Sequence, residues 1–330
     1  MRYSGIGGQA VMEGVMMKNR DEYAVAVRKP DHEIVVEVSE YTGIIKNKKI
    51  KNIPILRGVF NFIESLVLGM KTLTFSASFF EEEEKDDRKE QLSAEEQERL
   101  DKKEKKKEDA MLGGTVVLSI VLAVVIFMLL PYYISALFQK VIQTRWVIAL
   151  LEGVIRLAIF IGYVGLISMM EDIRRVYMYH GAEHKCINCI EHGMNLTVEN
   201  VRKSSRLHKR CGTSFLLIVM LISIIFFMFI RVDSPLLKVV VRVLLVPVIA
   251  GVSYEFIRLA GRSDNAVVNL LSKPGLWLQR LTTKEPDDDM IEVGIASVEA
   301  VFDWRTYVEE VRKEEGLHAE EVTLAKKDVI

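Results

Sequence analysis

Cysteine is scarce: the chain has three in 330 residues, too few for a disulfide scaffold. A basic excess is absent as well. The 44 Lys+Arg and 45 Asp+Glu leave a formal net charge of −1, which argues against nucleic acid as a partner. The 20 glycines and 7 prolines fall far below what a collagen-like or low-complexity chain requires. Residues 1–20 contain no long apolar core, so no cleavable signal peptide is expected. No internal repeat stands out.

Apolar residues are plentiful. They make up 50% of the chain, beside 27% charged residues, and mean hydropathy is +0.18. The two populations are segregated: residues 112–130 carry no charge over nineteen positions, and residues 81–110 are mostly charge. A helix needs roughly 20 apolar residues to cross the hydrocarbon core. Leu112–Leu130 (stopped by Pro131), Trp146–Met170, Ser214–Ile230 and Leu236–Leu259 meet or approach that length. The expected fold is mainly α: a polytopic membrane helix bundle of about four transmembrane helices, with a small cytoplasmic β-containing N-terminal region. The lipid bilayer is the expected partner, and a homo-oligomer is compatible with so few spans.

The stretch 53–80 is apolar apart from Arg57, Glu64 and Lys71, spaced by seven. On a helix these form nearly one line, drifting about 20° per heptad. That suits an amphipathic or membrane-associated helix, with a fifth span as the alternative. Loop charge favours four spans. Residues 1–52 hold nine Lys/Arg and 171–213 hold eight, whereas 131–145 and 231–235 hold two and one. Four spans place both rich segments, and both termini, on the cytoplasmic side of the cell membrane. The expected organisation is therefore a cytoplasmic glycine-rich β region (1–52), the helix 53–80, a charged helical or disordered linker (81–110), the transmembrane region 111–259 with the cytoplasmic loop 171–213, and a cytoplasmic C-terminal region (260–330).

Within the soluble pieces, Ala24–Arg28 and Ile34–Val38 read as strands around a Pro30–Asp31 turn. The preceding Gly5–Met17 segment has glycines at 5, 7, 8 and 14, which allow positive φ and close backbone approach. It lacks the spacing of a dinucleotide fingerprint and the Gly-Lys-Ser/Thr of a phosphate loop. Thr197 reads as the cap of a short helix containing Glu199–Lys203. Ala266–Leu281 reads as amphipathic, Met290–Ala296 as a strand and Val298–Arg312 as a helix.

All three cysteines and four of the six histidines fall between His180 and Cys211. His180 and His184 are four apart, so on a helix their rings share a face and can chelate one metal. With Glu183 they form His-x-x-Glu-His, the inverted zincin pattern, in which two imidazoles hold zinc and the glutamate takes a proton from activated water. His208 and Cys211, at i and i+3, supply a second ligand-rich pair. A straight continuation of the second span would carry His180 about 15 Å past Met170, so a bend near Gly181 or a longer third helix is needed to unite them. Cys186 and Cys189 form a Cys-x-x-Cys, more often a metal or redox element than a disulfide in a reducing compartment. No second pair and no thioredoxin-like pattern accompanies it. Zinc suits histidine with thiolate; iron and manganese are the alternatives.

Three strings carry a resemblance: Gly7–Met17, Tyr179–Lys185 and Arg210–Phe215, with further matches at Arg57-Gly58, Leu196–Val201 and Ser253–Glu255. Over about residues 5–300 the chain resembles the YqhQ-like bacterial membrane proteins, a domain of unknown function described as predicted metal-dependent enzymes. The resemblance implies roles for Glu13, His180, Glu183, His184, Glu191, His208 and Cys211. It does not reliably keep a cysteine at Cys186, and it makes 81–109 a variable insertion.

Three functions follow as expectations. The first is a membrane metal-dependent hydrolase. Its divalent metal would sit on His180, His184 and His208 or Cys211. Glu183 would be the general base, and Glu13 or Glu191 would orient a ligand; the substrate is unknown, a peptide or a lipid-derived amide or ester. The second is a non-catalytic assembly or regulatory factor with a protein partner, its four ligands His180, His184, His208 and Cys211 closing a structural site. The third is a transporter with a polar path of Glu152, Arg156, Arg242 and Glu255, although Glu152 and Arg156 at i and i+4 also suit a structural ion pair.

Overall fold

The structure, a computed structural model, describes residues 3–43, 53–80, 94–230, 232, 234–260 and 265–316. It is mainly helical and divides into two units, residues 1–80, 161–226 and 242–330 in one and 81–160 with 227–241 in the other.

The first unit contains an antiparallel sheet, β1 (Gly7–Val11), β2 (Gly14–Asn19), β3 (Glu22–Arg28) and β4 (Ile34–Glu40), in that order. β3 and β4 are the two strands expected from sequence. β1 and β2 lie in the glycine-rich segment, where no strand was expected. Close approach explains two of its glycines. A Cβ on Gly8 would stand 2.4 Å from the Met16 carbonyl oxygen, and one on Gly14 2.4 Å from that of Ala26. Positive φ falls on Gly5 and, in the β1–β2 turn, on Glu13 rather than on Gly14.

β2 and β3 are buried on both faces. Val15, Met17, Ala24 and Ala26 join a core with α5 (Glu171–Glu191) and α10 (Asp288–Val301). Val11, Met16, Val25 and Val27 pack instead with Leu68 of α1 (Leu56–Ala77). α1 lays its polar line on the protein. Gln9 Nε2 donates to Thr72 Oγ1 at 2.7 Å, the Met12 N–H donates to Ser76 Oγ at 3.1 Å, and Arg57 binds the Glu255 carboxylate. Ile63, Leu66, Val67, Met70 and Leu73 face outward, 41–58% exposed. This is the amphipathic form of the 53–80 segment.

The second unit holds α2 (Ala94–Val124), a π-helical turn Val125–Leu129 and α3 (Leu130–Ala136). The first apolar segment therefore runs past Pro131, because the widened turn before it accommodates a residue with no N–H. The charged run is helical from Ala94 onward; residues 81–93 lie outside the described residues. In α4 (Arg145–Ile167), Arg156 binds Glu152 at 2.9 Å, donates to the Phe127 carbonyl at 2.8 Å and lies 4.8 Å from the Phe227 ring centroid. That is a satisfied structural ion pair.

Among the described residues, three helices are long and apolar enough to cross a membrane: Gly113–Ala136, Arg145–Ile167 and Leu236–Leu259, the last within α8 (Pro235–Ala260). The fourth expected span forms α7 (Gly212–Met228), 17 residues and about 25 Å long at 1.5 Å per residue, short of the roughly 30 Å hydrocarbon core.

Three sequence expectations are corrected. The bend before the histidine cluster falls at 168–170, where Met170 is extended, and α5 runs unbroken through Gly181. Met290–Ala296 is helical, part of α10. Asp287 caps that helix by accepting from the Met290 N–H, and Met290, Ile291, Val293, Gly294, Ser297, Val298 and Val301 make a buried face of helical period. The expected helix 298–312 breaks at Phe302–Asp303, where Asp303 caps α11 (Trp304–Glu315). Thr197 does cap α6 (Val198–Lys203), accepting from the Asn200 N–H.

Candidate metal centre

α5 carries the centre. Its second half, from Tyr179 to Glu191, is almost wholly buried. His180 and His184 lie on one face, as their four-residue spacing requires, with ring centroids 4.4 Å apart. Each ring is held through Nδ1 by a backbone carbonyl from a distant segment. His180 Nδ1 is 2.9 Å from the Thr282 oxygen, and His184 Nδ1 is 2.6 Å from that of Arg206. A carbonyl only accepts, so each Nδ1 carries a proton as donor, and the proton a cation would displace is the one on Nε2. This is how metal-binding histidines are commonly oriented.

Cys211 sits at the mouth of α7. Its Sγ is 3.2 Å from His180 Nε2, and the ligand atoms of His180, His184 and Cys211 lie within 4.8 Å of one another. His184 Nε2 is buried with no hydrogen-bond partner. A buried, unpartnered nitrogen is costly, and a cation between these three side-chain atoms would remove that cost. The donor set fits a borderline-soft divalent ion.

Electrostatics point the same way. Burial raises the Cys211 thiol, but charge on His184 and His180 outweighs it and holds the thiol well below its usual range. For His180, burial lowers the ring, yet the nearby thiolate of Cys211 and the Glu183 carboxylate raise it to about 9. The site thus favours a thiolate beside positive charge. Glu183 is buried, with its carboxylate 3.8 Å from His180 Nε2.

His208 lines the same cavity of about 200 Å³ as His180, Glu183, His184 and Cys211. It is not in the three-ligand group. Its Nε2 faces Arg210 at 3.1 Å and Glu191 at 3.5 Å. Burial lowers its pKa despite the Glu191 contact.

Glu191 is fully buried. It binds Arg210 and accepts from the Ser4 N–H and hydroxyl at 2.9 and 2.7 Å. It thereby ties the N-terminal segment to the loop before α7. Burial raises its carboxyl, but the His208 and Arg210 contacts bring it down to about 2. Glu13 lies outside the cluster, paired with Arg175 at 2.6 Å and reached by the Tyr179 hydroxyl at 3.2 Å. Cys186 and Cys189 are both buried in the α5–α10 core. A Cβ on Gly294 would come within 3.0 Å of Cys186 Sγ, and Cys189 Sγ faces the Asn195 carbonyl at 3.4 Å. Burial pushes the Cys186 thiol well up.

Several positioning residues carry no sequence signal. Gln279, on α9 (Ala266–Thr282), accepts from the His208 N–H at 2.8 Å and donates to the His208 carbonyl and Ser214 hydroxyl, both at 2.7 Å. It holds the chain on both sides of Cys211. Asn188 donates to the carbonyls of Ser205 and Leu207, and Lys185 to those of Arg202 and Ser204. These long polar side chains on the buried face of α5 latch the loop so that Arg206 presents its carbonyl to His184.

Residues 53–304 match the family model described as "Protein of unknown function (DUF1385)". The chain is 36% identical over 292 residues to "Uncharacterized protein YqhQ" of Bacillus subtilis (strain 168), covering 88% of this chain and 90% of that protein. No solved structure matches. The chain belongs to the DUF1385 family of proteins of unknown function.

Proposed function

We propose that this is a membrane-inserted metal-dependent hydrolase whose divalent ion, zinc by preference, is held by His180, His184 and Cys211, with the site on the cytoplasmic side. The observation that carries this reading is the pair of Nδ1-anchored imidazoles aimed at one thiolate, with His184 Nε2 left without a partner. Three protein ligands leave a position open, the mark of a catalytic rather than a structural zinc site. The closed four-ligand alternative needs His208, whose ring is turned to Glu191 and Arg210. A bound ion would supply Lewis acidity and water of lowered pKa. Glu183, whose carboxylate stands 3.8 Å from His180 Nε2, would accept a proton there, and Arg210, bound to Glu191, also lines the cavity.

Elemental analysis of protein purified from zinc-replete cells tests the site. One ion per chain is expected, lost in His184→Ala and Cys211→Ser and kept in Glu183→Gln. Metal-free wild-type protein would overturn the proposal. Loss of the ion in Glu183→Gln would make Glu183 a ligand instead of a base.

A further inference from the structure

β1 is one edge of the sheet and pairs with β2 alone. Along an antiparallel strand, successive residues point their N–H and C=O to opposite sides. The Arg28 N–H donates to the Glu13 carbonyl, which fixes the phase of β2 against β3: Ala26 with Val15 and Ala24 with Met17 are the bonded pairs. Val15 and Met17 therefore spend their backbone groups on β3. Ala10 and Gly8, opposite them in β1, turn theirs outward. Met12 agrees, its N–H turning outward to Ser76 Oγ at 3.1 Å. Among the described residues, nothing hydrogen-bonds the outward groups of Gly8 and Ala10. Both residues are half-buried and Gly7 is exposed. The opposite edge, β4, carries exposed Glu37 and Glu40, charges of the kind that deter a further strand. β1 carries neither charge nor proline.

This open edge runs past the candidate metal centre. A Cβ on Gly8 would stand 3.0 Å from Glu183 Cγ, and Gly8 lines the same cavity as His180, His184 and Cys211. Gly8 and Cys211 also border a larger space of about 830 Å³, walled by Phe62 and Leu66 of α1 and Phe215 and Leu216 of α7. That size is in the range of ligand pockets. Polar side chains around it are engaged with protein: Arg210 with Glu191, Gln9 with Thr72, and Asn61 with the Tyr254 hydroxyl. The β1 edge offers donors and acceptors at strand spacing, a pattern that another extended chain matches.

We infer that an extended polypeptide segment adds to the β1 edge as a further strand, and that its peptide bond beside Gly8 is what the proposed hydrolase cleaves. The inference rests on the proposed metal site and names its substrate class. Main-chain bonds to Gly8 and Ala10 hold the segment with little regard to its sequence. Every second side chain enters the apolar space, so apolar residues are favoured there. In the reaction the water oxygen bonds to the carbonyl carbon and the C–N bond breaks. The water proton passes by way of Glu183 to the leaving nitrogen, which gives a carboxylate and an amine.

The probe is a randomised octapeptide library, blocked at both ends and carrying benzoylphenylalanine at its centre, photolysed with the full-length protein in phosphatidylcholine nanodiscs. Cross-links are expected in Gly5–Ala10 and at Phe215 and Leu216. The same library with every amide N-methylated cannot donate to the Gly8 and Ala10 carbonyls and should label about tenfold less. Ala10→Pro removes one outward N–H and leaves the ladder to β2 intact, the edge placement in which proline is tolerated. It should also cut labelling about tenfold, with metal content and melting temperature near those of wild type. Should it fail to fold, the N-methylated library on wild-type protein decides. Equal labelling by both libraries, cross-links confined to other elements, or full labelling of folded Ala10→Pro would each overturn the inference. Glu183→Gln should keep the label while cleavage of the library, read by mass spectrometry, stops. Metal content separates the two claims. Protein found without metal overturns the metal reading whatever it labels. Metal-replete protein that fails to label, or labels and cleaves nothing, overturns this one.

Discussion

The carbonyl oxygen of Lys284 lies 2.0 Å from the point where a Cβ on Gly181 would stand. No side chain fits there, so the 282–286 segment lies directly on α5, fixed also by the Lys284 N–H donating to the Tyr177 carbonyl at 2.8 Å. This crossing delivers the Thr282 carbonyl to His180. Gly181→Ala must push the segment away. Overpacking of this kind costs about 1–3 kcal/mol, and losing an orienting contact lowers metal affinity roughly 10–100-fold. Thermal unfolding and competitive zinc chelation should report both losses. Wild-type affinity in Gly181→Ala would show that the Thr282 contact does not orient His180.

The three cysteines should differ sharply in reactivity. Cys211 is held as thiolate by His184 and His180 and faces two cavities, whereas the Cys186 and Cys189 side chains are wholly buried. Thiolate is the reactive form. After chelation at neutral pH, iodoacetamide should modify Cys211 alone in the folded protein, and added zinc should slow the reaction. Peptide mapping that finds Cys186 or Cys189 modified first would contradict the assignment of those two to the core.

How much of this was legible in the sequence depends on whether the signal was local. His180 and His184 share a face because four residues make about one helical turn, and Thr197 capped its helix as its type predicts. The partners that aim the two rings were not legible, because both are backbone carbonyls, of Thr282 and Arg206, and any residue type supplies one. Gln279 gave no signal for the same reason: an amide on an amphipathic helix acquires its role only when α9 meets the loop. β2 was missed because its buried run Gly14–Met17 carries no alternation of apolar and polar residues, and β1 because its glycines mimic a loop. Met290–Ala296 misled by carrying apolar residues that fit both periods over seven positions; Asp287 as a cap was the deciding clue.

Acid should weaken the N-terminal tether. The Glu191 carboxyl titrates at about 2 in the folded protein against an ordinary value of 4.5. A depressed folded value means that its contribution to stability is fully present above about pH 4.5 and is lost as pH falls toward 2. Glu191→Gln leaves Arg210 without its carboxylate and should cost about 3 kcal/mol at neutral pH. The gap in melting temperature between wild type and variant should then narrow between pH 4.5 and 2. A gap that stays constant over that window would mean that the carboxylate charge contributes nothing.

Topology gives the most direct check on where the candidate metal centre faces. The loops 1–52 and 171–213 hold nine and eight Lys/Arg, and 131–145 holds two, so the rich loops should remain inside. With α1 lying on the sheet by its polar face, it should not cross. The helices Gly113–Ala136 and Arg145–Ile167 then form a hairpin whose tip near Gln139 is external, and Asn195 is internal with the centre. Alkaline phosphatase fused after Gln139 should be active and fused after Asn195 inactive, with a cytoplasmic fluorescent reporter giving the reverse. The same side reported for both would mean that this hairpin does not span, and an inverted pair would place the His180–Cys211 centre outside.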